Sequence, residues 1–329
     1  MSTFAPSCIR LASKYAMHHR SLGLSQRLSS KMSSKHFSEA LDAHVQAVYG
    51  RRLAMKKARV MNTRQLQIRA YFFLHYPVVK KIFVKLPVIR RLYGGERYSH
   101  PIDRLYGIDT SGIIPAEELN SSLATKICFY LGSQPSIVRR ALVALPKVTD
   151  YSFVDLGCGK GRAIIVAAEY PFREIIGVEI SPNLVRIARS NVETMKGNLP
   201  SSSKIQIIEG DATKFRPQGK RIVFFTYHAF GIELMREFLK NLEAGLGRTI
   251  EHCFFVYYNP VCGSVFDASS ALTRWFADTV PYDSSEVGFG PDIADGVVIW
   301  QTVHNALPAH HPGRNRKIIA LENHAVVEP

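Results

Sequence analysis

The sequence predicts an α/β protein built on a doubly wound, mostly parallel sheet. From residue 151 onward, short apolar runs typical of buried strands alternate with longer segments of helical spacing. Strands that alternate with helices form parallel sheets that are covered by helices on both faces. The first strand is followed by three alternating glycines, which predict a tight turn where the backbone passes close to a ligand.

The individual elements follow from apolar spacing and from turn residues. Strands are predicted at residues 151–156, 174–180, 204–209, 221–227, 252–258 and 296–302. Helices are predicted at residues 136–145, 160–170, 182–196, 231–245 and 267–277. Ser181 suits the cap and Pro182 the first turn of the third of these helices. Functional sites are expected at the carboxyl ends of the strands, where the strand order reverses.

The strongest functional signal is the segment 154–162, which reads Val-Asp-Leu-Gly-Cys-Gly-Lys-Gly-Arg. Asp155 ends the first strand, and the glycines of the turn are Gly157, Gly159 and Gly161. A dinucleotide fingerprint, G-x-G-x-x-G, requires glycine at position 162, where this chain has Arg162. Glu179 ends the second strand about 20 residues on, where a carboxylate can hold both hydroxyls of a ribose. The pattern therefore predicts a nucleoside ligand other than a dinucleotide.

This pattern resembles motif I of the class I S-adenosylmethionine-dependent methyltransferases, and the resemblance extends over residues 130–300. It implies a Rossmann-like methyltransferase fold, S-adenosylmethionine as cofactor and methyl transfer as the reaction. In that family the first acid and the glycine loop face the methionine part, and the second acid holds the ribose. An acid after the third strand, here Asp211, accepts a hydrogen bond from the adenine amino group. The implied cofactor-binding residues are Tyr130, Asp155, Gly157, Cys158, Gly159, Gly161, Glu179, Asp211 and Ala212.

Two features near the glycine turn have alternative interpretations. Tyr130 lies 23 residues before Phe153, and it loosely resembles a tyrosine of the non-SET lysine methyltransferases that folds over the cofactor. The alternative interpretation is that Tyr130 is an aromatic residue of the hydrophobic core. Lys160 and Arg162 stand at a helix N-terminus, where cations oppose the helix dipole. They are expected either to bind the carboxylate of the ligand or to lie in a solvated first turn.

The end of the fourth strand supplies the predicted catalytic residues, Tyr227 and His228. Strand order brings them to the edge that holds the cofactor, where His228 is a candidate general base. The alternative interpretation is that His228 has only a structural role in the loop. Many amino-group methyltransferases carry Asn/Asp-Pro-Pro-aromatic here, whereas this chain has Tyr-His-Ala-Phe, which disfavours methylation of nucleic-acid bases.

These patterns do not identify the methyl acceptor. A protein lysine or another amine is the first interpretation, and a small molecule or a nucleic acid is the alternative. A further alternative is a non-catalytic adenosyl-binding protein at a membrane surface, since the cofactor residues alone do not require turnover. In-line methyl transfer needs alignment and exclusion of water rather than a metal, and no metal-ligand spacing is present.

The net charge of +15 is confined to the N-terminal third. Residues 1–100 hold 19 Lys and Arg against 3 Asp and Glu, and residues 101–329 hold 23 against 24. Residues 1–38, with ten serines and no acid, predict a disordered tail or a mitochondrial transit peptide. Residues 39–100 predict a basic amphipathic helical extension that binds an anionic membrane or a nucleic acid, or that packs on the catalytic domain.

The remaining chain is expected to form a methyltransferase domain at 101–305 and a solvated C-terminal tail at 306–329. Five widely spaced cysteines without a C-x-x-C pair suit a reducing compartment. No run of about 18 uncharged apolar residues predicts a membrane-spanning helix. We therefore expect a cytoplasmic protein, with peripheral membrane binding as a variant, or a mitochondrial one if residues 1–38 form a transit peptide.

Overall fold

The computed structural model describes residues 99–120, 122–197, 204–290, 293–308, 311–320 and 324–328. All of them belong to one of the two compact units of the chain, residues 62–329. The tail predicted at 1–38 and nearly all of the extension predicted at 39–100 lie outside the described residues. Both stay predictions.

The helices and strands are numbered in chain order. The helices are α1 (Pro101–Tyr106), α2 (Ala116–Leu119), α3 (Pro135–Val143), α4 (Arg162–Ala167), α5 (Pro182–Met195), α6 (Ile232–Gly245) and α7 (Gly263–Asp267), with a 3₁₀ helix at Pro312–Asn315. The strands are β1 (Ile113–Ile114), β2 (Tyr130–Leu131), β3 (Ser152–Leu156), β4 (Glu174–Glu179), β5 (Lys204–Glu209), β6 (Arg221–Tyr227), β7 (His252–Tyr258), β8 (Leu272–Pro281), β9 (Ala294–Thr302), β10 (Ile318–Ala320) and β11 (Ala325–Val327).

Seven strands form one sheet in the order β5-β4-β3-β6-β7-β9-β8. The five strands from β5 to β7 are parallel, and β9 is antiparallel to both of its neighbours. The predicted α/β fold with a mostly parallel sheet is confirmed. The strand order reverses between β3 and β6, so a crevice is expected at the carboxyl ends of these two strands.

The core lies on both faces of the sheet. Phe153 packs into one apolar cluster with α3, α4 and α5, and its neighbour Val154 packs into the other with α6 and α7. Successive side chains of a strand point to opposite faces, so a strand covered on both sides is apolar throughout. This is why β3, β6 and β7 are readable in the sequence as continuous apolar runs.

The helix predicted at 267–277 is wrong. Helix α7 ends at Asp267, and β8 spans Leu272–Pro281 instead. The register of β8 on β9 shifts between Arg274 and Phe276, which marks an irregularity of the bulge type. Buried residues consequently fall at 272, 276, 277 and 280, and this spacing imitates the period of a helix.

The prediction of a solvated extension after residue 306 is also wrong for the described residues of that segment. Strands β10 and β11 pair as an antiparallel hairpin, and Ala325 and Val327 are buried. Val327 is held by Thr279 of β8, whose hydroxyl donates to the carbonyl oxygen of Val327 at 2.8 Å and accepts from its amide at 3.0 Å. In the described part of the chain, no helix is long and apolar enough to span a membrane.

Candidate active site

The glycine turn after β3 is held against the neighbouring strand. The amides of Gly157 and Cys158 both donate to the carbonyl oxygen of Val178, at 2.9 and 3.0 Å. Gly159 has a φ of +55°, and a Cβ there would lie 2.2 Å from the Tyr130 ring. Glycine is therefore required at 159 both by the backbone conformation and by the close packing of Tyr130.

Glu179 is placed at the end of β4 with its carboxylate fixed by backbone donors. The Gly159 amide donates to Oε2 and the Ser181 amide to Oε1, both at 2.9 Å. Each oxygen retains a lone pair, which leaves the carboxylate able to accept from a vicinal diol. Burial raises the pKa of Glu179, although these backbone hydrogen bonds act in the opposite direction.

Asp155 lies beside Glu179 in the same cavity. Its side chain is buried, and in the part of the chain that the structure describes no group donates a hydrogen bond to the carboxylate. Burial, and then the charge of Glu179, raise the pKa of Asp155 well above its usual value. A buried carboxylate of this kind is stabilised by a cationic ligand and destabilised by an anionic one.

Most of the predicted site residues, cofactor-binding and catalytic, meet in one cavity at the carboxyl end of β3 and β6. Those on its wall are Tyr130, Asp155, Gly157, Cys158, Gly159, Glu179, Asp211, Ala212 and Tyr227. Gly161 and His228 are not on this wall. Gly161 instead caps α4 with a φ of +85°. The Asp211 carboxylate accepts from Thr213, and such hydrogen bonds outweigh its partial burial and lower its pKa.

A second wall comes from the segment before α3, which sequence reasoning assigned only at Tyr130. The Tyr130 hydroxyl donates to the carbonyl oxygen of Thr110 at 2.8 Å, and burial raises its pKa. The segment pairs with the chain after β6, since the Cys128 amide donates to Ala229 O at 3.0 Å. Apolar wall residues missed by the sequence analysis are Leu119, Leu123, Ile127, Phe129, Phe230 and Leu234. Leu119, Leu123 and Ile127 recur at every fourth position, and this spacing could have indicated that they share one apolar face.

Lys160 and Arg162 fit neither of the two expectations. Arg162 is buried and donates to the carbonyl oxygens of Thr110 and Gly132, at 2.7 and 3.1 Å. Lys160 donates from Nζ to Asp109 Oδ1 and to Ser111 O, both at 2.7 Å. Both cations therefore attach the preceding loops to the start of α4, which explains their presence at a helix N-terminus.

Tyr227 and His228 have different surroundings at the end of β6. The half-buried Tyr227 ring lines the cavity and stacks on Tyr258, with centroids 4.0 Å apart and ring planes 14° apart. His228 has a φ of +35°, and its Nδ1 lies 2.9 Å from the Tyr257 hydroxyl. Burial lowers the pKa of His228 to about 4. His228 as a base stays a prediction.

The donor set of the cavity fits S-adenosylmethionine better than a dinucleotide. Asp155 is a buried carboxylate that suits a cationic sulfonium or ammonium group, and the buried Glu179 carboxylate suits the ribose hydroxyls. A pyrophosphate would be repelled by the same pair, and the nearby cations Lys160 and Arg162 are already bound to protein oxygens. Among the described residues, no group of three His, Cys, Asp or Glu side chains could hold a metal ion.

Solved structures that are similar to part of this chain include the following two. TrmN from Thermus thermophilus has a TM-score of 0.39 and 16% identity, over 51% of this chain and 49% of that chain. An RNA methyltransferase from Salinibacter ruber, in complex with S-adenosyl-L-homocysteine, has a TM-score of 0.35 and 18% identity, over 54% of this chain and 97% of that chain.

Comparisons of the sequence give a domain family and two relatives. The family described as "Methyltransferase domain" matches residues 153–247. An H3 lysine-79 specific histone-lysine N-methyltransferase of Dictyostelium discoideum is 26% identical over 65% of this chain and 12% of its own length. A protein-lysine N-methyltransferase of Saccharolobus islandicus is 38% identical over 20% of this chain and 40% of its own length. The chain thus spans less than half of either relative. It contains a class I S-adenosylmethionine-dependent methyltransferase domain with distant homology to the non-SET lysine methyltransferases.

Proposed function

We propose that this protein transfers a methyl group from S-adenosylmethionine to the ε-amine of a protein lysine. Both relatives described above are lysine methyltransferases by name, and one of them aligns over 65% of this chain. The chain spans only a small part of that relative, so the acceptor has to be argued from the site. Asp155, Glu179 and Asp211 are assigned to the cofactor, and Tyr227 to the acceptor side.

The apolar wall near the end of β6 is the observation that carries this proposal. Its side chains are aliphatic or aromatic: Leu119, Leu123, Ile127, Phe230 and Leu234. Such a wall packs well against the methylene stem of lysine. A nucleobase offers a polar edge that has to be matched by hydrogen-bond donors and acceptors in the pocket that reads it. The acceptor side therefore suits a lysine better than a base.

Deprotonation of the amine is compatible with these surroundings. When bound, S-adenosylmethionine supplies an activated methyl group on a sulfonium. The chain has to align the amine, exclude water and favour the neutral form of the amine. Burial among apolar side chains lowers the pKa of a lysine from its usual value of about 10.4. The wall itself therefore favours the nucleophilic form without requiring a strong base.

Labelling of a cell extract tests this proposal. The full chain is incubated with extract and S-adenosylmethionine labelled in the methyl group, and the product is treated with protease or nuclease. We expect the label in protein, and methyl-lysine after acid hydrolysis. A Glu179→Ala variant serves as the control for cofactor-dependent labelling. Nuclease-sensitive label would favour the nucleic-acid alternative, and absence of label would refute the transferase proposal.

Cofactor affinity should fall as the pH is lowered, starting above the ordinary carboxyl range. Only ionised carboxylates attract the cationic cofactor, and the pKa values of Asp155 and Glu179 are both raised. Protonation therefore weakens binding at a pH where exposed carboxyls remain charged. Calorimetry between about pH 5 and pH 8 measures this effect. Asp155→Asn should bind more weakly and with a flatter pH profile, and constant wild-type affinity would contradict the prediction.

Replacement of His228 by alanine should lower turnover and leave cofactor affinity unchanged. The His228 imidazole is hydrogen-bonded to Tyr257, and His228 is not among the residues that line the cavity, so no cofactor contact is removed. A base in this position would contribute about 10²–10⁴-fold to turnover. Because the pKa of His228 is about 4, we expect no His228-dependent inflection between pH 6 and 7. Equal losses of turnover and cofactor affinity would mean that His228 only supports the loop.

We also propose that residues 39–100 form a basic, mainly helical extension, and that residues 1–100 dock the protein on an anionic membrane surface rather than on a nucleic acid. The support is their charge, 19 Lys and Arg against 3 Asp and Glu, with apolar residues interleaved. A full-length variant with Lys80, Lys81, Lys85, Arg90 and Arg91 replaced by glutamine should lose binding to vesicles containing phosphatidylserine. Wild-type binding should also weaken in salt, because screening acts over about 10 Å at 0.1 M. Equal vesicle binding by both proteins would contradict the proposal.

A further inference from the structure

A buried carboxylate lies at the same edge of the sheet as the acceptor side. Asp295 is 1% exposed and stands at the start of β9, which is antiparallel to β7. The start of β9 therefore meets the carboxyl end of β7 beside the cavity. The Tyr258 hydroxyl donates to Asp295 Oδ2 at 2.7 Å, and the Tyr282 hydroxyl donates to the same oxygen. His324 Nδ1 lies 3.3 Å from Oδ1.

This arrangement connects directly to the cavity wall. Tyr258 is fully buried, pairs in register with Tyr227, and stacks on the Tyr227 ring at 4.0 Å. One face of the Tyr227 ring therefore packs on the Tyr258 ring, and the Tyr258 ring is held in place by the hydrogen bond from its hydroxyl to Asp295. Because stacking depends on the position of both rings, loss of the anchor would free the wall residue as well.

The C-terminal hairpin completes the surroundings of Asp295. The Ala325 amide donates to Asn259 Oδ1 at 2.7 Å, directly after Tyr258 in the chain. A Cβ at Gly296 would lie 2.7 Å from the Ala325 carbonyl oxygen, so glycine allows the hairpin to approach the residue that follows Asp295. Tyr258, Asp295 and His324 are thus brought together from three distant parts of the chain.

The fold alone does not require a charge at this position. A buried carboxylate is costly unless it is fully bonded, and apolar residues of similar volume often stabilise a core as well or better. What the hydrogen bonds to Asp295 add is a fixed ring position for Tyr258. We propose that Asp295 is a positioning residue for the acceptor side, acting through Tyr258 on the Tyr227 ring; this role rests on the proposed methyl transfer.

Variants that remove one hydroxyl at a time test this role. Tyr258→Phe keeps the ring and removes the anchor, and Tyr282→Phe is the matched control, since it removes the other hydroxyl bonded to Asp295 Oδ2. Lysine labelling of cell-extract protein at saturating cofactor should fall about ten- to a hundredfold in Tyr258→Phe, because small misplacements in a reacting site have effects of this size. Tyr282→Phe should lose less than about threefold, and Asp295→Asn should resemble Tyr258→Phe. S-adenosylhomocysteine affinity should not change in these variants.

A spectroscopic readout separates this inference from the proposed function. With ¹³C-labelled tyrosine rings and bound S-adenosylhomocysteine, the Tyr227 signal, assigned by Tyr227→Phe, should report a restrained ring in the wild type. In Tyr258→Phe and Asp295→Asn the signal should report a Tyr227 ring that is no longer restrained, and in Tyr282→Phe the ring should stay restrained. An unchanged Tyr227 signal, or equal effects of the two Tyr→Phe substitutions, would overturn the positioning role. Absence of lysine labelling by the wild type would refute the proposed function while leaving this measurement decisive.

Discussion

Replacement of Glu179 by alanine should weaken S-adenosylmethionine binding by about ten- to a hundredfold, or about 1.5–3 kcal/mol. The substitution removes a charged acceptor assigned to the ribose hydroxyls. It also removes the acceptor for the Gly159 and Ser181 amides, which fix the glycine turn. Both losses act on the cofactor side of the cavity. Titration calorimetry of the full chain measures the change directly.

Glu209 provides the matched control for this experiment. It pairs with Glu179 in register on the neighbouring strand β5 but is exposed to solvent. Glu209→Ala removes the same charge from the same edge of the sheet, so a general electrostatic effect would appear in both variants. We expect the Glu209 variant to bind within about twofold of the wild type, because exposed charges are screened. Equal losses in the two variants would contradict a ribose contact at Glu179.

The part of the fold that the sequence predicted well is the part governed by local pattern. Strands β5, β6 and β7 have the predicted bounds, because each is a short run between clear turn residues. Asp155 and Glu179 come to one cavity because parallel neighbouring strands end at the same edge. Strand β8 was missed because its register shift gives buried residues a helical spacing.

The contacts of the site were less predictable, because they depend on distant residues. Arg162 bonds Thr110 across 52 positions and Gly132 across 30, and no local pattern indicates such partners. The contacts of Asp295 join β7, β9 and the C-terminal hairpin, and the sequence of that hairpin predicts only a solvated tail. The low pKa of His228 arises from burial, which depends on how the chain packs around that loop.

Replacement of Arg162 by alanine should lower the free energy of unfolding by about 3–5 kcal/mol. The buried guanidinium donates to Thr110 Oγ1, Thr110 O and Gly132 O, and its loss removes a charge-assisted hydrogen bond from each of these buried oxygens. The Thr110 carbonyl also accepts from the Tyr130 hydroxyl. Loss of Arg162 should therefore loosen the cavity wall and weaken cofactor binding together with stability. Urea unfolding followed by fluorescence measures the change in midpoint.

Arg139→Ala is the matched control, since it removes an arginine from the half-exposed pair with Glu169, where the N–O distance is 2.6 Å. Exposed ion pairs contribute about 0–1 kcal/mol, so the unfolding midpoint should barely move. The two substitutions should therefore change the free energy of unfolding by amounts that differ severalfold, because the oxygens bonded to Arg162 are buried, whereas water can replace Arg139 at Glu169. Equal shifts of the midpoint would mean that water reaches those carbonyls. The hydrogen bonds of Arg162 would then contribute no more to stability than an exposed ion pair does, and the wall carrying Tyr130 would be held by other contacts.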